Sequence, residues 1–258
     1  MPFVTLTTDW GLRDQHVAVL KGMLLRKVND LKIIDISHDI QPFSIVQAAF
    51  VFSNAYHHFP EGTVHFIGVG SFPTANTELI AIKKDGFAFI GMNDGFFALL
   101  FPEQPVDIVA VSPSGQQFTA YDMPAIVDAI IHFNNGKNIY ELGSRISALY
   151  HRLGLRPVIE VDVIRGTVIY IDEFGNAITN IDKSLFEKQC ANRKFEINAR
   201  RQQYVITELH NSYSEVASGH LLALFNNAGF LEIAINKGSA ASLLGLKQND
   251  NVRIDFTG

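Results

Sequence analysis

A carboxylate stands where an apolar run ends, in Phe3-Val4-Thr5-Leu6-Thr7-Thr8-Asp9-Trp10-Gly11. The first five residues have the composition of a buried strand, and Gly11 permits a turn before the next helical stretch. In an open parallel sheet, ligands sit outside the carboxyl ends of strands. A carboxylate there can accept two hydrogen bonds from a vicinal diol such as a ribose. The same Asp9 can instead cap the following helix or close a turn. Taken alone, the stretch fits that second role at least as well.

Two later stretches carry similar groups. Ile171-Asp172-Glu173-Phe174-Gly175-Asn176-Ala177-Ile178-Thr179-Asn180 packs a carboxylate, an aromatic ring and two amides into a strand–turn–strand. Asp172 is placed to hold an ammonium, Asn176 to bond a zwitterion and Phe174 to offer a stacking face. Asn and Gly are also ordinary turn formers, so a plain β-turn is the alternative. Asn226-Asn227-Ala228-Gly229-Phe230 leads a loop with free amides into a strand. Backbone groups there can read the edge of an adenine, or the segment is simply a hairpin loop.

Other chemistries lack their residues. Nine histidines raise the question of a metal, but no two-ligand helical spacing such as HExxH occurs. His57 and His58 diverge, and His65 lies inside a strand. His38, beside Asp35 and Asp39, is the best metal candidate, yet a loop histidine more often bonds backbone, and no metal is expected. There is no GxSxG and no P-loop, and Gly68-Val69-Gly70 lacks the third glycine of a dinucleotide fingerprint. Cys190 is the only cysteine, which excludes an internal disulfide and a cysteine metal cluster.

Composition narrows the class further. With 47% hydrophobic and 18% charged residues over 258 positions, the chain can bury one large or two modest cores. A net charge of -5 without a Lys/Arg run argues against nucleic acid as the main partner. No apolar stretch approaches the roughly 20 residues that span a bilayer. The N-terminus enters a strand pattern at once, so no leader peptide, no membrane partner and a cytoplasmic location are expected.

The elements that must position these groups follow from hydrophobic periodicity. Residues 3–7, 32–36, 64–69 and 106–111 read as strands, and residues 15–28, 44–57, 96–101 and 121–133 as helices. Ser44 is placed to cap the second helix. Residues 79–83 and 87–92 read as a strand pair turning at Asp85-Gly86. Strands alternating with helices predict an α/β domain with a largely parallel sheet. After about Leu155 the texture changes to short strands at 158–163, 165–170, 195–197, 204–207, 221–225, 230–235 and 251–256. Helix signal is confined to 183–188 and 239–244. An all-β barrel or sandwich domain is expected there, with Pro157 at the boundary.

Six of these pieces, in order, resemble the S-adenosylmethionine hydroxide adenosyltransferases, also called S-adenosylmethionine hydrolases, to which fluorinases and chlorinases are similar. They are Thr7-Thr8-Asp9-Trp10-Gly11; Asp35-Ile36-Ser37-His38-Asp39-Ile40-Gln41-Pro42; Phe59-Pro60-Glu61-Gly62-Thr63-Val64-His65; Asn93-Asp94-Gly95; Phe174-Gly175-Asn176 with Thr179-Asn180; and Gly229-Phe230-Leu231-Glu232-Ile233-Ala234 with Asn236. The resemblance implies an α/β adenosyl-binding domain at 1–156 and a β-barrel domain at 157–258. It also implies a homotrimer that holds S-adenosylmethionine, as substrate or ligand and with no other cofactor, between one subunit's first domain and its neighbour's second. By position, Asp9 would hold the ribose hydroxyls and Phe43 would flank the sugar or sulfonium. Asp172, Phe174 and Asn176 would meet the methionine or base, with Asn227 and Ala228 near the carboxylate and adenine. The family's chemistry is in-line attack at the ribose 5′ carbon, with methionine leaving and water giving adenosine.

The departures fall at the reacting centre. The hydrolases carry an Asp-Pro-Gly-Val-Gly loop followed by an arginine, where this chain has Phe72-Pro73-Thr74-Ala75-Asn76-Thr77-Glu78. They carry a histidine in a Phe-His-Gly-Arg-Asp stretch, where this chain has Phe118-Thr119-Ala120-Tyr121-Asp122. The groups expected to orient water are therefore replaced by Phe72 and Thr119. Phe72 and Ala120 also resemble the lining of a halogenase halide pocket, although the segment 72–78, shorter than the family's loop, and Tyr121 in place of an arginine fit that reading poorly. The expectation is an adenosyl-ligand binder that hydrolyses slowly or not at all. The alternatives are a non-catalytic binding or scaffold protein and a halide adenosyltransferase.

Overall fold

The structure is a computed structural model that describes residues 3–70, 78–101, 103–113, 122–151, 156–200 and 204–257. The chain divides into two units, Met1–Arg152 and Leu153–Gly258. The first carries β1 (Phe3–Thr8), α1 (His16–Lys27), β2 (Lys32–Ser37), α2 (Ile45–Ser53), β3 (Val64–Gly68), β4 (Leu79–Lys84), β5 (Phe87–Met92), α3 (Phe96–Leu100), β6 (Asp107–Val111), α4 (Met123–Asn134) and β7 (Gly143–Arg145). The second carries β8 (Val158–Ile159), β9 (Val163–Ile171), β10 (Ala177–Asp182), α5 (Lys183–Cys190), β11 (Lys194–Ala199), β12 (Val205–Ile206), β13 (Leu209–His210), β14 (Leu221–Phe225), β15 (Phe230–Ile235), α6 (Ala240–Leu244) and β16 (Asn251–Thr257).

In the first unit, seven strands among the described residues form one sheet in the order β2-β1-β3-β5-β4-β6-β7. β1 pairs in parallel with β2 and β3, and β3 with β5. The pairs β4–β5, β4–β6 and β6–β7 are antiparallel. The sheet is thus mixed rather than largely parallel. The cause is local: Asp85 and Gly86 both have positive φ, 51° and 81°. Two such residues make the tight turn that matches the twist of a hairpin. That turn folds β4 back outside β5, so every strand beyond β5 runs against its neighbour.

β1, β3 and β5 are buried almost throughout, as strands covered on both faces must be. Val4, Leu6, Phe66 and Ile90 join Leu20 and Leu24 of α1 and Ile126 and Ile130 of α4 in one core. On the other face, Phe52 of α2 meets His65, Phe89 and Phe96 edge-on. Ser44 caps α2 as expected, its hydroxyl accepting from the Gln47 amide at 3.4 Å. The helix ends at Ser53, not His57, and Tyr56–His58 forms a separate 3₁₀ turn.

In the second unit, nine strands among the described residues form one sheet along β12-β11-β16-β9-β10-β15-β14-β13, with β8 paired to β9. β12 also lies against β14, so the sheet curls towards closure. The strand expected at 158–163 is interrupted, because the Glu160 amide bonds Val163 O at 2.9 Å across a turn and only Val158–Ile159 pair. Ile164, Val168, Ile181, Phe186, Leu231, Ile233 and Ile254 fill the interior.

His65 is fully buried in the first unit. Phe52, Tyr56, Phe59, Phe87 and Phe89 surround it with ring centroids 5.3 to 5.9 Å away. Nδ1 lies 2.7 Å from Thr5 Oγ1, and among the described residues Nε2 has no hydrogen-bond partner. Burial pushes the ring's pKa from 6.5 down to about 3. The unfolded chain therefore binds a proton that the folded ring refuses. Stability from this site is intact above about pH 6.5 and is lost as pH falls towards 3. Urea midpoints should fall across that window in the wild type and fall less steeply in His65→Phe. Parallel pH curves for the two proteins would refute this.

Candidate functional site

The parallel strands β1, β3 and β5 release their chains at the same edge of the sheet. Asp9 follows β1, Gly70 follows β3 and Asp94 follows β5. Asp9 Oδ2 accepts the Phe43 amide at 2.8 Å and the Gly70 amide at 3.3 Å. Both bonds fall on Oδ2, and among the described residues no other residue donates to Oδ1, which keeps acceptor capacity for a ligand hydroxyl. Burial raises the Asp9 pKa, while the Phe43 and Gly70 amides oppose that rise. The environment is that of a half-desolvated carboxylate held by backbone donors.

Both donors need unusual backbone. Phe43 has φ 67°, a left-handed conformation rare for an aromatic residue, and its ring is 58% exposed. Gly70 has φ 100°, and a Cβ there would lie 2.2 Å from Asp94 Oδ2. Only glycine fits. Asp94 is buried, and its Oδ1 accepts the Phe96 amide at 3.2 Å where α3 begins.

His38 follows β2 and is buried. Its Nδ1 lies 2.7 Å from Thr8 Oγ1. Nε2 is 3.1 Å from Asp35 Oδ1, within ion-pair distance but not aligned as a hydrogen bond. Lys21 Nζ holds the other Asp35 oxygen at 2.6 Å. Burial alone would raise the Asp35 carboxyl, but Lys21 and His38 outweigh it and hold its pKa below the usual carboxylate range. Among the described residues, no group of three His, Cys, Asp or Glu side chains is arranged to hold a metal ion.

In the second unit, the β9–β10 turn is organised by Asp172. Its Oδ1 accepts the amides of Phe174 (3.0 Å) and Asn176 (2.9 Å), and Oδ2 accepts Asn176 Nδ2 at 2.9 Å. Gly175, at φ 78°, passes so close to Ser239 that a Cβ would sit 2.1 Å from its hydroxyl oxygen. Phe174 is left 78% exposed. Asp172, Phe174 and Asn176 line a cavity of about 590 Å³ together with Tyr213, Asn236 and Lys237. Behind it, the Tyr213 hydroxyl donates to Glu232 Oε1 at 2.6 Å. Burial raises the Glu232 pKa, opposed by Tyr213 and Asn226 and reinforced by the Asp172 charge. Burial and then Glu232 push the Tyr213 phenol up.

The remaining expected residues are placed as follows. Asn227 is exposed. The Ala228 amide is engaged inside its own turn, donating to Asn226 Oδ1 at 3.1 Å. Phe72, Thr119 and Ala120 lie outside the described residues. Sequence reasoning missed Gly70, Tyr213 and Lys237, and used Asp94 and Glu232 only as parts of motifs. Glu232 had a legible signal, being a lone carboxylate at an inward position of an apolar strand. Tyr213, 19 residues upstream, had none.

Comparison with known proteins places the chain in a family. The family profile described as SAM hydroxide adenosyltransferase N-terminal domain matches residues 4–143, and the corresponding C-terminal domain matches residues 166–253. The chain therefore belongs to the S-adenosylmethionine hydroxide adenosyltransferase family. It is 31% identical to an (R)-S-adenosyl-L-methionine hydrolase from Methanocaldococcus jannaschii, covering 99% of this chain and 97% of that protein. It is 23% identical to a fluorinase from Nocardia brasiliensis, covering 98% and 96%. Among solved structures, an uncharacterized conserved protein from Thermotoga maritima superposes with a TM-score of 0.85 at 26% identity, over 99% of this chain and all of that one.

Removing the Tyr213 hydroxyl strips the buried Glu232 carboxyl of one of its donors. Tyr213→Phe should lower unfolding free energy by about 1–3 kcal/mol. Chemical denaturation checks this, and a wild-type midpoint would show that the Tyr213–Glu232 bond contributes nothing.

Proposed function

We propose that this protein binds S-adenosylmethionine and hydrolyses it slowly, with water attacking the ribose 5′ carbon and methionine leaving. The products are adenosine, methionine and a proton. The observation that carries this reading is the Asp9 carboxylate at the carboxyl edge of the parallel strands, whose Oδ2 takes the Phe43 and Gly70 amides while, among the described residues, no other residue donates to Oδ1. A vicinal diol is a matching partner for such a group. Taken by itself, the second unit offers at Asp172 a carboxylate of the kind an ammonium pairs with and, in the exposed Phe174, a ring on which a planar base can stack. The relatives named as S-adenosylmethionine hydrolases support the reaction class.

The sulfonium is already a good leaving group, so the protein's task is to place and desolvate the attacking water. In this chain Phe72 and Thr119 stand where the family resemblance places an aspartate and a histidine. Neither offers a general base. Loss of such a group typically slows a reaction by about 10²–10⁴-fold. Slow turnover with intact binding is the expected combination.

The protein incubated with S-adenosylmethionine should release adenosine and methionine, followed by mass spectrometry, at a rate at least a hundredfold below that of the Methanocaldococcus relative, in line with that estimate. Equal rates would remove the argument from Phe72 and Thr119, and binding without release would make the protein a non-catalytic adenosyl binder. In calorimetry, Asp9→Ala should weaken adenosine binding by about 1.5–3 kcal/mol, the range for a hydrogen bond to a charged group. Unchanged affinity would refute the diol role.

A further inference from the structure

We infer that His38 is a positioning residue that fixes the Asp9 anchor, a role that rests on the proposed reading of Asp9 as the ribose holder. The short segment after β2 grips the Asp9 turn at three points. His38 Nδ1 meets Thr8 Oγ1 at 2.7 Å, His38 O accepts the Gly11 amide at 2.9 Å, and the Phe43 amide donates to Asp9 at 2.8 Å. The residues gripped are 8, 9 and 11, so the carboxylate is held from both sides in sequence.

The ring is itself held from behind. Asp35 Oδ1 lies 3.1 Å from Nε2, and Lys21 secures the far oxygen of that carboxylate at 2.6 Å. A carboxylate beside Nε2 favours the tautomer with its proton there. Nδ1 must then accept, so the Thr8 hydroxyl donates to it. A lone pair of Thr8 Oγ1 is left for the Trp10 amide, 3.4 Å away. With that tautomer, Thr8 donates to His38 and accepts from Trp10, while Asp35 lies between Lys21 and the ring. Nδ1 is thus engaged by Thr8, and Nε2 faces the Asp35 carboxylate at ion-pair distance, which accounts for a buried histidine between two aspartates in sequence. An anchor fixed in advance does not have to be ordered when the ligand arrives, and that is how such a residue raises affinity without touching the ligand.

The test is a double-mutant cycle on adenosine affinity. Thr8→Val and His38→Ala each break the same link, and Thr8→Val does so with little change of shape. Each should weaken binding roughly five- to tenfold, as expected for loss of one hydrogen bond. His38→Asn, which keeps an acceptor near Nδ1, should restore most of the affinity. In an Asp9→Ala background none of these changes should cost anything further, because they act through Asp9. Additive losses, or normal affinity with a lowered melting temperature, would overturn the proposal and leave His38 a structural residue. A second measurement needs no ligand: the Asp9 carboxyl titration followed by carbon-13 NMR. Its midpoint should move in Thr8→Val and His38→Ala and return in His38→Asn. An unmoved midpoint overturns the positioning role whether or not adenosine binds. A moved midpoint in a protein that fails to bind adenosine supports it and removes the ribose reading instead.

Discussion

A half-buried carboxylate must be stabilised by fixed donors or it protonates, and at Asp9 the donors are backbone amides, those of Phe43 and Gly70 joined by its own. That constraint reaches far into the first unit. It places Phe43 in a left-handed conformation, and it brings Gly70 to the carboxylate along a path where a Cβ would strike Asp94. It also requires β1, β3 and β5 to be parallel, so that the three residues following them share one edge. The antiparallel strands beyond β5 extend the sheet without disturbing that edge.

The second unit solves a comparable problem with a side chain in place of the backbone. Asp172 accepts two amides and one side-chain NH₂ from its own turn, which leaves Phe174 standing out from the surface. Gly175 is pressed against Ser239, and the Ala241 amide bonds Gly175 O at 2.9 Å, so the turn is tied to α6. Tyr213, another lining residue of the cavity, is held by its hydrogen bond to Glu232. An exposed ring on a rigid turn loses little entropy on stacking, which is what a binding face requires.

Local chemistry was legible in the sequence. Ser44 as a cap, Asp85-Gly86 as a hairpin turn and the turn residues at 172–176 follow from backbone rules that act over a few positions. Asp9 at the end of a buried strand was legible as a candidate, and the order of the matched segments gave the family. What was not legible depends on contacts distant in sequence. That β6 joins the sheet against β4, and antiparallel to it, is a choice of neighbours that periodicity does not encode. The Phe43 and Gly70 amides reach Asp9 from 34 and 61 residues away. His38 was readable as a polar loop residue beside two aspartates. That it faces Thr8, 30 residues back, depends on the pairing of β1 with β2.

If Asp9 holds a ribose, the protein must feel the loss of the ribose hydroxyls. The most direct measurement is the affinity for adenosine against 2′,3′-dideoxyadenosine, in the wild type and in Asp9→Ala. The wild type should prefer adenosine by roughly tenfold or more, as expected for hydrogen bonds to a charged acceptor, and Asp9→Ala should bind the two alike. Equal affinities in the wild type, or a preference that survives in Asp9→Ala, would contradict the assignment of Asp9 as the diol anchor.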